Sequence, residues 1–353
     1  MSWKLVAEQD FYTKFWTFKE QADKFLLSKK GSYLRFALLS ATVVAYPVIK
    51  VFSTGPLLST FFKWRVNLDS ELPDHLKKTI NEAFLFYFSK PFLWLDKTGK
   101  TPNEAFFTFT RQRDASRALD SITNGTLSFS TGAQIELPFY VKFKTEDEVF
   151  AYAKEHFEPL NVLGKVVCIV WESDVGKQLL STFLLSEEAL AFLVARDLCT
   201  VKESYLLTQE GLTWFCYTLC YMCSFYVLHM FVFKGSSLSF ALCYPILFAL
   251  SVITSKQWAD LAIYMNERKA NMEAAKLSQR HTKGGREFYT KFLLRNRILR
   301  ELVEGGDKLF TEVGGYQKAI ADYVARYDDI STVRSENEQL TLCIEGDDMP
   351  GEL

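Results

Sequence analysis

Residues 184–204 read LLSEEALAFLVARDLCTVKES, and the pair Arg196-Asp197 is the first place to look for chemistry. Advancing about 100° per residue around a helix, Leu190, Val194, Leu198 and Val201 share one side. Asp197 falls inside that apolar stripe, and Arg196 and Thr200 lie one turn apart beside it. A carboxylate in such a setting is costly unless a cation or hydrogen-bond donors meet it. Ion pairing is therefore the chemistry on offer, because a guanidinium stays protonated and donates in a planar fork.

A second group sits in an uncharged stretch. Cys216, Cys220 and Cys223 recur at i, i+4 and i+7, so three thiols share one helical face. They could hold a soft metal such as Cu(I), although small apolar packing is the commoner use of such cysteines. His229, deeper in the same stretch, is an intramembrane polar group and carries a functional flag; a helix–helix hydrogen bond is its ordinary role. His75, His156 and His281 form no local ligand pattern. The seven cysteines are odd in number and concentrated in apolar segments, unlike a secreted disulfide framework. No phosphate-binding glycine loop or nucleophile elbow occurs. The basic face Arg268, Lys269, Lys276, Arg280, Lys283 and Arg286 suits acidic lipid headgroups or RNA, against the plainer reading of a solvated face. A net charge of −1 gives no general pull toward nucleic acid.

The elements that must position these residues begin with the membrane. Residues 211–233 and 235–255 contain no Asp, Glu, Lys or Arg. About 20 apolar residues cross a hydrocarbon core of roughly 30 Å, so both stretches qualify as spans. Lys234 followed by Gly235-Ser236-Ser237 predicts a tight turn, making 211–255 a transmembrane hairpin. Residues 36–62 predict a further membrane segment, shortened or kinked by Pro47, Lys50 and Pro56. Residues 1–35 predict an amphipathic helix with Phe11, Phe15, Phe18, Phe25 and Leu26 on one face.

Between the first segment and the hairpin, 63–210 predicts an α+β domain. Helices are expected over 76–88, 146–157 and 187–204, the last with Ser186 as N-cap. Extended runs are expected over 105–111, 126–130, 134–143, 165–171 and 178–185, in a mainly antiparallel sheet. Residues 256–325 predict helices packing on that domain, interrupted at Gly284-Gly285 and ended by Gly305-Gly306. The acidic residues 326–353 predict a disordered tail. The fold class expected is thus an α+β membrane protein.

The order of elements around Arg196 resembles that of membrane zinc metalloproteases of the CAAX-processing and heat-shock type. There, an edge strand leads into a helix carrying H-E-x-x-H, a transmembrane hairpin follows, and a later helix bears E-x-x-A-D. The corresponding stretches here read Arg196-Asp197-Leu198-Cys199-Thr200 and Glu267-Arg268-Lys269-Ala270-Asn271. Arg cannot ligate zinc, a Thr hydroxyl replaces imidazole poorly, and only Glu267 survives as a ligand. The resemblance therefore implies a scaffold without protease chemistry. In it, Arg196 is expected to pair with Glu267 or Asp197 where a metal would sit.

Residues 184–204, 284–310 (GGREFYTKFLLRNRILRELVEGGDKLF) and 106–110 (FFTFT) closely resemble the transmembrane protein 177 family. The resemblance covers roughly residues 30–315. It implies a multi-pass protein of the mitochondrial inner membrane that supports cytochrome c oxidase biogenesis. Its implied partners are newly made subunit 2 and the membrane chaperone of that subunit, in contact with membrane lipids and without nucleic acid. No catalytic residues and no cofactor come with the resemblance. Two other readings compete: a membrane-embedded metalloprotease-like hydrolase, and a lipid-binding membrane organiser.

Overall fold

The computed structural model describes residues 2–54, 72–88, 105–109, 120–127, 132–162, 164–202, 205–315 and 326–332. The chain opens with α1 (Ser2–Leu27) and α2 (Lys29–Thr54), separated at Ser28, whose hydroxyl accepts the Gly31 N–H at 3.2 Å. Next come α3 (Asp74–Phe88), β1 (Ala105–Phe109), β2 (Ile122–Gly125) and β3 (Ala133–Leu137). A 3-10 turn, Phe139–Lys142, leads to α4 (Glu146–His156), β4 (Leu160–Val162), β5 (Lys165–Val167), α5 (Asp174–Ser181) and α6 (Glu187–Lys202). Then α7 (Tyr205–Val227) ends in a π-helical turn, Leu228–Val232, before α8 (Ser237–Lys276) and α9 (Gln279–Leu302). Two compact units result: Met1–Ser53 with Tyr205–Ala262, and Thr54–Ser204 with Ile263–Leu353.

The first unit is the membrane unit. Lys29–Ile49, Gly211–Val232 and the apolar part of α8 are long and apolar enough to cross a bilayer, and the protein is a membrane protein with three candidate spans. The first span starts earlier than expected from composition, and residues 55–62 lie outside the described residues. Pro47 and Pro245 sit inside helices, which membrane helices tolerate because neighbours meet the freed backbone groups. The hairpin turn forms where sequence places it. Lys234 (φ 49°) and Gly235 (φ 76°) are left-handed, and the Gly235 N–H reaches the His229 carbonyl at 2.7 Å. Within the unit, Trp214 Nε1 donates to the Val43 carbonyl at 3.1 Å, and Thr42 Oγ1 meets Tyr244 Oη at 2.6 Å. The side chains of Phe15, Phe18 and Phe25 on α1 are exposed; that of Phe11 is outside the described set.

The second unit, the head, is an α+β domain. Strand order is β1-β3-β2; β2–β3 and β4–β5 pair antiparallel, β1–β3 parallel. One apolar core joins Leu76, Ile80 and Phe84 of α3, Ile135 and Leu137 of β3, Leu190, Leu193, Val194 and Leu198 of α6, and Phe288, Phe292 and Leu299 of α9. Burying each such side chain contributes about 1.5–3 kcal/mol.

Several expected elements differ. Residues 178–185 are not a strand: α5 occupies Asp174–Ser181, because Ser173 caps it through the Gly176 N–H at 3.1 Å and its buried residues Gly176, Leu179 and Leu180 fall at i, i+3 and i+4. Strand β3 stops at Leu137, since Pro138 cannot donate to a ladder, and the expected run to 143 becomes a 3-10 turn. The run expected over 165–171 is a strand only to Val167, and β2 precedes the run expected at 126–130. Gly284-Gly285 do not interrupt the helix but lie inside α9; the break falls at Leu277-Ser278, with Ser278 as N-cap of α9. The second hairpin helix and the helix after it are one element, α8. Residues 326–332, expected to begin a disordered tail, are helical, with Ile330 fully buried; 333–353 lie outside the described residues.

Candidate functional site

Helix α6 is set in place by its N-terminus and by glycine. The Ser186 hydroxyl accepts the Ala189 N–H at 3.2 Å and donates to Glu287 Oε2, while Glu287 Oε1 accepts the Ser186 N–H at 3.1 Å. A carboxylate from α9 thus sits at the positive end of α6. Hydrogen bonds from Ser186 and Lys291 outweigh the effect of burial and hold Glu287 below the usual carboxylate range. Close approach of the two helices depends on Gly284, where a Cβ would strike the Glu188 carbonyl. At Gly285 a Cβ would come within 2.8 Å of the Phe192 ring.

This crossing drives the last turns of α6 into the core and buries Arg196 (6% exposed) and Asp197 (1%). Arg196 Nη2 lies 2.6 Å from Asp120 Oδ1 and donates to Ser121 Oγ; Arg196 Nε donates to Asp197 Oδ1 at 3.1 Å. Ser121 Oγ in turn donates to Asp197 Oδ1 at 2.7 Å. The guanidinium also faces the Phe288 ring at 5.2 Å. Thr200 Oγ1 donates to the Arg196 carbonyl, 3.0 Å away.

Two carboxylates share one guanidinium, and their environments separate them. Burial pushes Asp120 up, but the charge and hydrogen bonds of Arg196 outweigh this and leave it below the usual carboxylate range. Burial dominates at Asp197, whose pKa is pushed up to about 6 despite Arg196 and Ser121. Its Oδ2 has no hydrogen-bond partner among the described residues. The Arg196 guanidinium, paired with both, is held charged far above any physiological pH.

Asp197, Arg196, Thr200 and Glu267 line one small cavity, with Asp120, Ser121, Thr123, Asn271 and Arg326. Its volume of about 30 Å³ has room for one or two waters and no organic substrate. Glu267 does not reach Arg196 as a pair; it pairs with Arg326. Asn271 Oδ1 accepts from Tyr289 Oη at 2.7 Å. The donor set does not fit zinc: a guanidinium, a hydroxyl bonded to backbone and a carboxylate paired with arginine offer no three-ligand centre. The edge strand that the metalloprotease resemblance places before this helix is helix α5 here.

The other flagged residues lie elsewhere. Cys216, Cys220 and Cys223 are exposed along α7, and no three His, Cys, Asp or Glu side chains converge as a metal group among the described residues. His229 is buried, bonded through Nδ1 to Ser239 Oγ of α8 at 2.8 Å and stacked on Phe225 at 5.4 Å. Much of the basic face is engaged within the head. Arg268 grips Asp329 with two bonds of 2.7 Å, Arg280 faces Glu82 and Glu187, and Arg286 donates to Tyr327 Oη at 3.0 Å.

Sequence reasoning missed Asp120, Ser121 and Arg326, which follow no periodicity that marks them as buried. It also missed Arg295, which is 1% exposed, bonds the Thr182 carbonyl at 2.7 Å and stacks on Tyr140 and Phe183. Here a signal existed: Arg295 falls in the stripe Phe288, Phe292, Leu299.

Comparison with known proteins places this sequence in a family. A family model described as transmembrane protein 177 matches residues 26–348. A Caenorhabditis elegans protein described as uncharacterized is 30% identical over 332 residues, 93% of this chain and 97% of its own length. A Danio rerio protein, transmembrane protein 177, is 27% identical over 216 residues, 59% of this chain and 68% of its own. No solved structure matches.

Proposed function

The chain belongs to the transmembrane protein 177 family, and from that membership we propose a non-catalytic assembly factor of the mitochondrial inner membrane. In this reading it supports biogenesis of cytochrome c oxidase by holding newly made subunit 2, together with the membrane chaperone of that subunit. The observation that carries the non-catalytic part is the closure of the α6 cluster. Arg196, Asp120, Asp197, Thr200 and Glu267 are each tied to another residue of the head, around a cavity too small for a substrate. The holding part draws on the membrane unit. Side chains such as Phe231 and Ile246 are exposed along the hairpin and offer an apolar face on which a partner's membrane helix can pack.

Affinity purification of the tagged full-length protein from mitochondria, after pulse-labelling of mitochondrial translation, tests the reading. Labelled cytochrome c oxidase subunit 2 is expected in the eluate. Recovery without any respiratory-chain assembly component overturns it, as does stoichiometric zinc with a hydrolytic activity lost on chelation.

A further inference from the structure

The end of the membrane unit where α2 begins and the hairpin turns carries charge that an apolar bundle does not need. Asp23 Oδ1 accepts the Ser237 N–H at 2.5 Å, capping α8, and Lys19 lies 3.4 Å from Asp23. The Leu27 side chain fills the space above Gly235. These contacts hold the start of α2 beside the turn, so the exposed Lys29, Lys30 and Lys234 rim the same end.

Inside that rim is Arg35, 5% exposed within the span Lys29–Ile49. Its Nη1 donates to Met230 Sδ at 2.9 Å, a weak acceptor. Its Nε is buried without a partner, and no carboxylate pairs with it among the described residues. Asp23 is already engaged by Ser237 and Lys19, though its charge and that of Arg35 both act on His229. Ser239 Oγ donates to the Ser236 carbonyl at 2.7 Å, so it accepts from His229 Nδ1–H. That leaves His229 Nε2 buried and without a partner. Arg35 therefore presents an unmet buried donor at this end of the bundle, whereas His229 Nε2 is an acceptor and adds nothing to the pull on an anion.

A fixed cation at that depth calls for an anion, and the described chain supplies none. We propose that Arg35 binds the phosphate of an acidic phospholipid whose headgroup lies among Lys29, Lys30 and Lys234. A guanidinium matches phosphate oxygens two at a time. One to two helical turns, about 5–10 Å, separate Arg35 from Lys29 and Lys30 on α2, the span of a headgroup and its glycerol. A carboxylate on a partner's membrane helix would satisfy Arg35 but leave the three rim lysines unexplained, and this favours the lipid.

Native mass spectrometry of the full-length protein, released from micelles of equimolar phosphatidylglycerol and phosphatidylcholine, reads the site directly. Wild type is expected to retain phosphatidylglycerol several-fold over phosphatidylcholine, with no displacement by millimolar inorganic phosphate, and Arg35→Gln is expected to lose the preference. Equal retention of the two lipids, or an undiminished preference in Arg35→Gln, overturns the proposal; displacement by inorganic phosphate assigns the site to a soluble anion and overturns the lipid. Should Arg35→Gln fail to fold, the triple variant K29Q/K30Q/K234Q carries the test, and an unchanged preference there sinks it equally.

Discussion

Arg196 in the head and Arg35 in the membrane unit are equally covered, at 6% and 5% exposed, yet their surroundings are opposite. Arg196 meets two carboxylates, a hydroxyl and an aromatic face, all from its own chain. Arg35 meets a thioether. In the head the chain satisfies its buried cation internally, because the unfolded alternative hydrates the guanidinium fully. A membrane unit has no such alternative, and lipid or a neighbouring helix can complete what the chain leaves open. One buried arginine is a closed structural group, the other an open one.

The sharpest way to break this contrast is Arg196→Met. It strands Asp120 and Asp197 in the core without their shared cation, and is expected to destabilise the head by about 3–5 kcal/mol. Chemical denaturation of the full-length protein in detergent, followed by tryptophan fluorescence, measures it. A loss below about 1 kcal/mol would reduce the cluster to the standing of a surface pair. Next in size is Gly284→Val, which forces α6 and α9 apart at the Glu188 carbonyl. Overpacking of this kind costs about 1–3 kcal/mol, and because backbone is the obstacle the upper end is expected. Gly284→Ala should fall between wild type and Val in the same measurement.

How much of this was legible follows from the same contrast. The hairpin, its turn at Lys234-Gly235 and the helix cap at Ser186 are local features, decided by runs of apolar residues and by a single hydroxyl within three positions. They could be read directly. The stripe around Leu190 likewise marks Asp197 as buried. Partners were not readable, since Asp120 and Ser121 lie some 76 residues from Asp197 and no periodicity selects them. Gly284-Gly285 misled for a physical reason. Glycine disfavours an isolated helix by about 1 kcal/mol, but in α9 it lets another helix approach, and the packing gained outweighs that propensity. Arg35 carries no such signal, because its burial depends on Met230 at the end of α7, far away in sequence.

Asp197 gives the head a pH signature that Asp120 does not. Its folded pKa of about 6 stands above the unfolded value of about 3.9. The folded state therefore holds the proton longer than the unfolded state, and stability falls as pH rises between about 4 and 6. Asp120, held low, contributes stability that is lost only below that window. His281, lowered by burial, works in the opposite sense to Asp197, so the difference between wild type and Asp197→Asn isolates the carboxyl. That difference is expected to shift by roughly 1–3 kcal/mol from pH 4.5 to pH 7, in favour of the Asn variant at the higher pH. A constant difference across the range would show that Asp197 is as ionised as an exposed carboxylate.

The smallest effect belongs to the membrane unit. Ser239→Ala removes the acceptor of His229 Nδ1–H and the bond to the Ser236 carbonyl, so His229 loses its tether between α7 and α8. Hydrogen bonds between membrane helices average about 0.6 kcal/mol, because the dissociated helix finds other partners in the bilayer. Thermal unfolding in detergent should therefore place Ser239→Ala within about 1 kcal/mol of wild type, well below Arg196→Met. A loss as large as that at Arg196 would mean that the membrane unit also depends on a fully satisfied polar core. Arg35 would then need a protein partner of its own, and the distinction between the closed and the open arginine would fail.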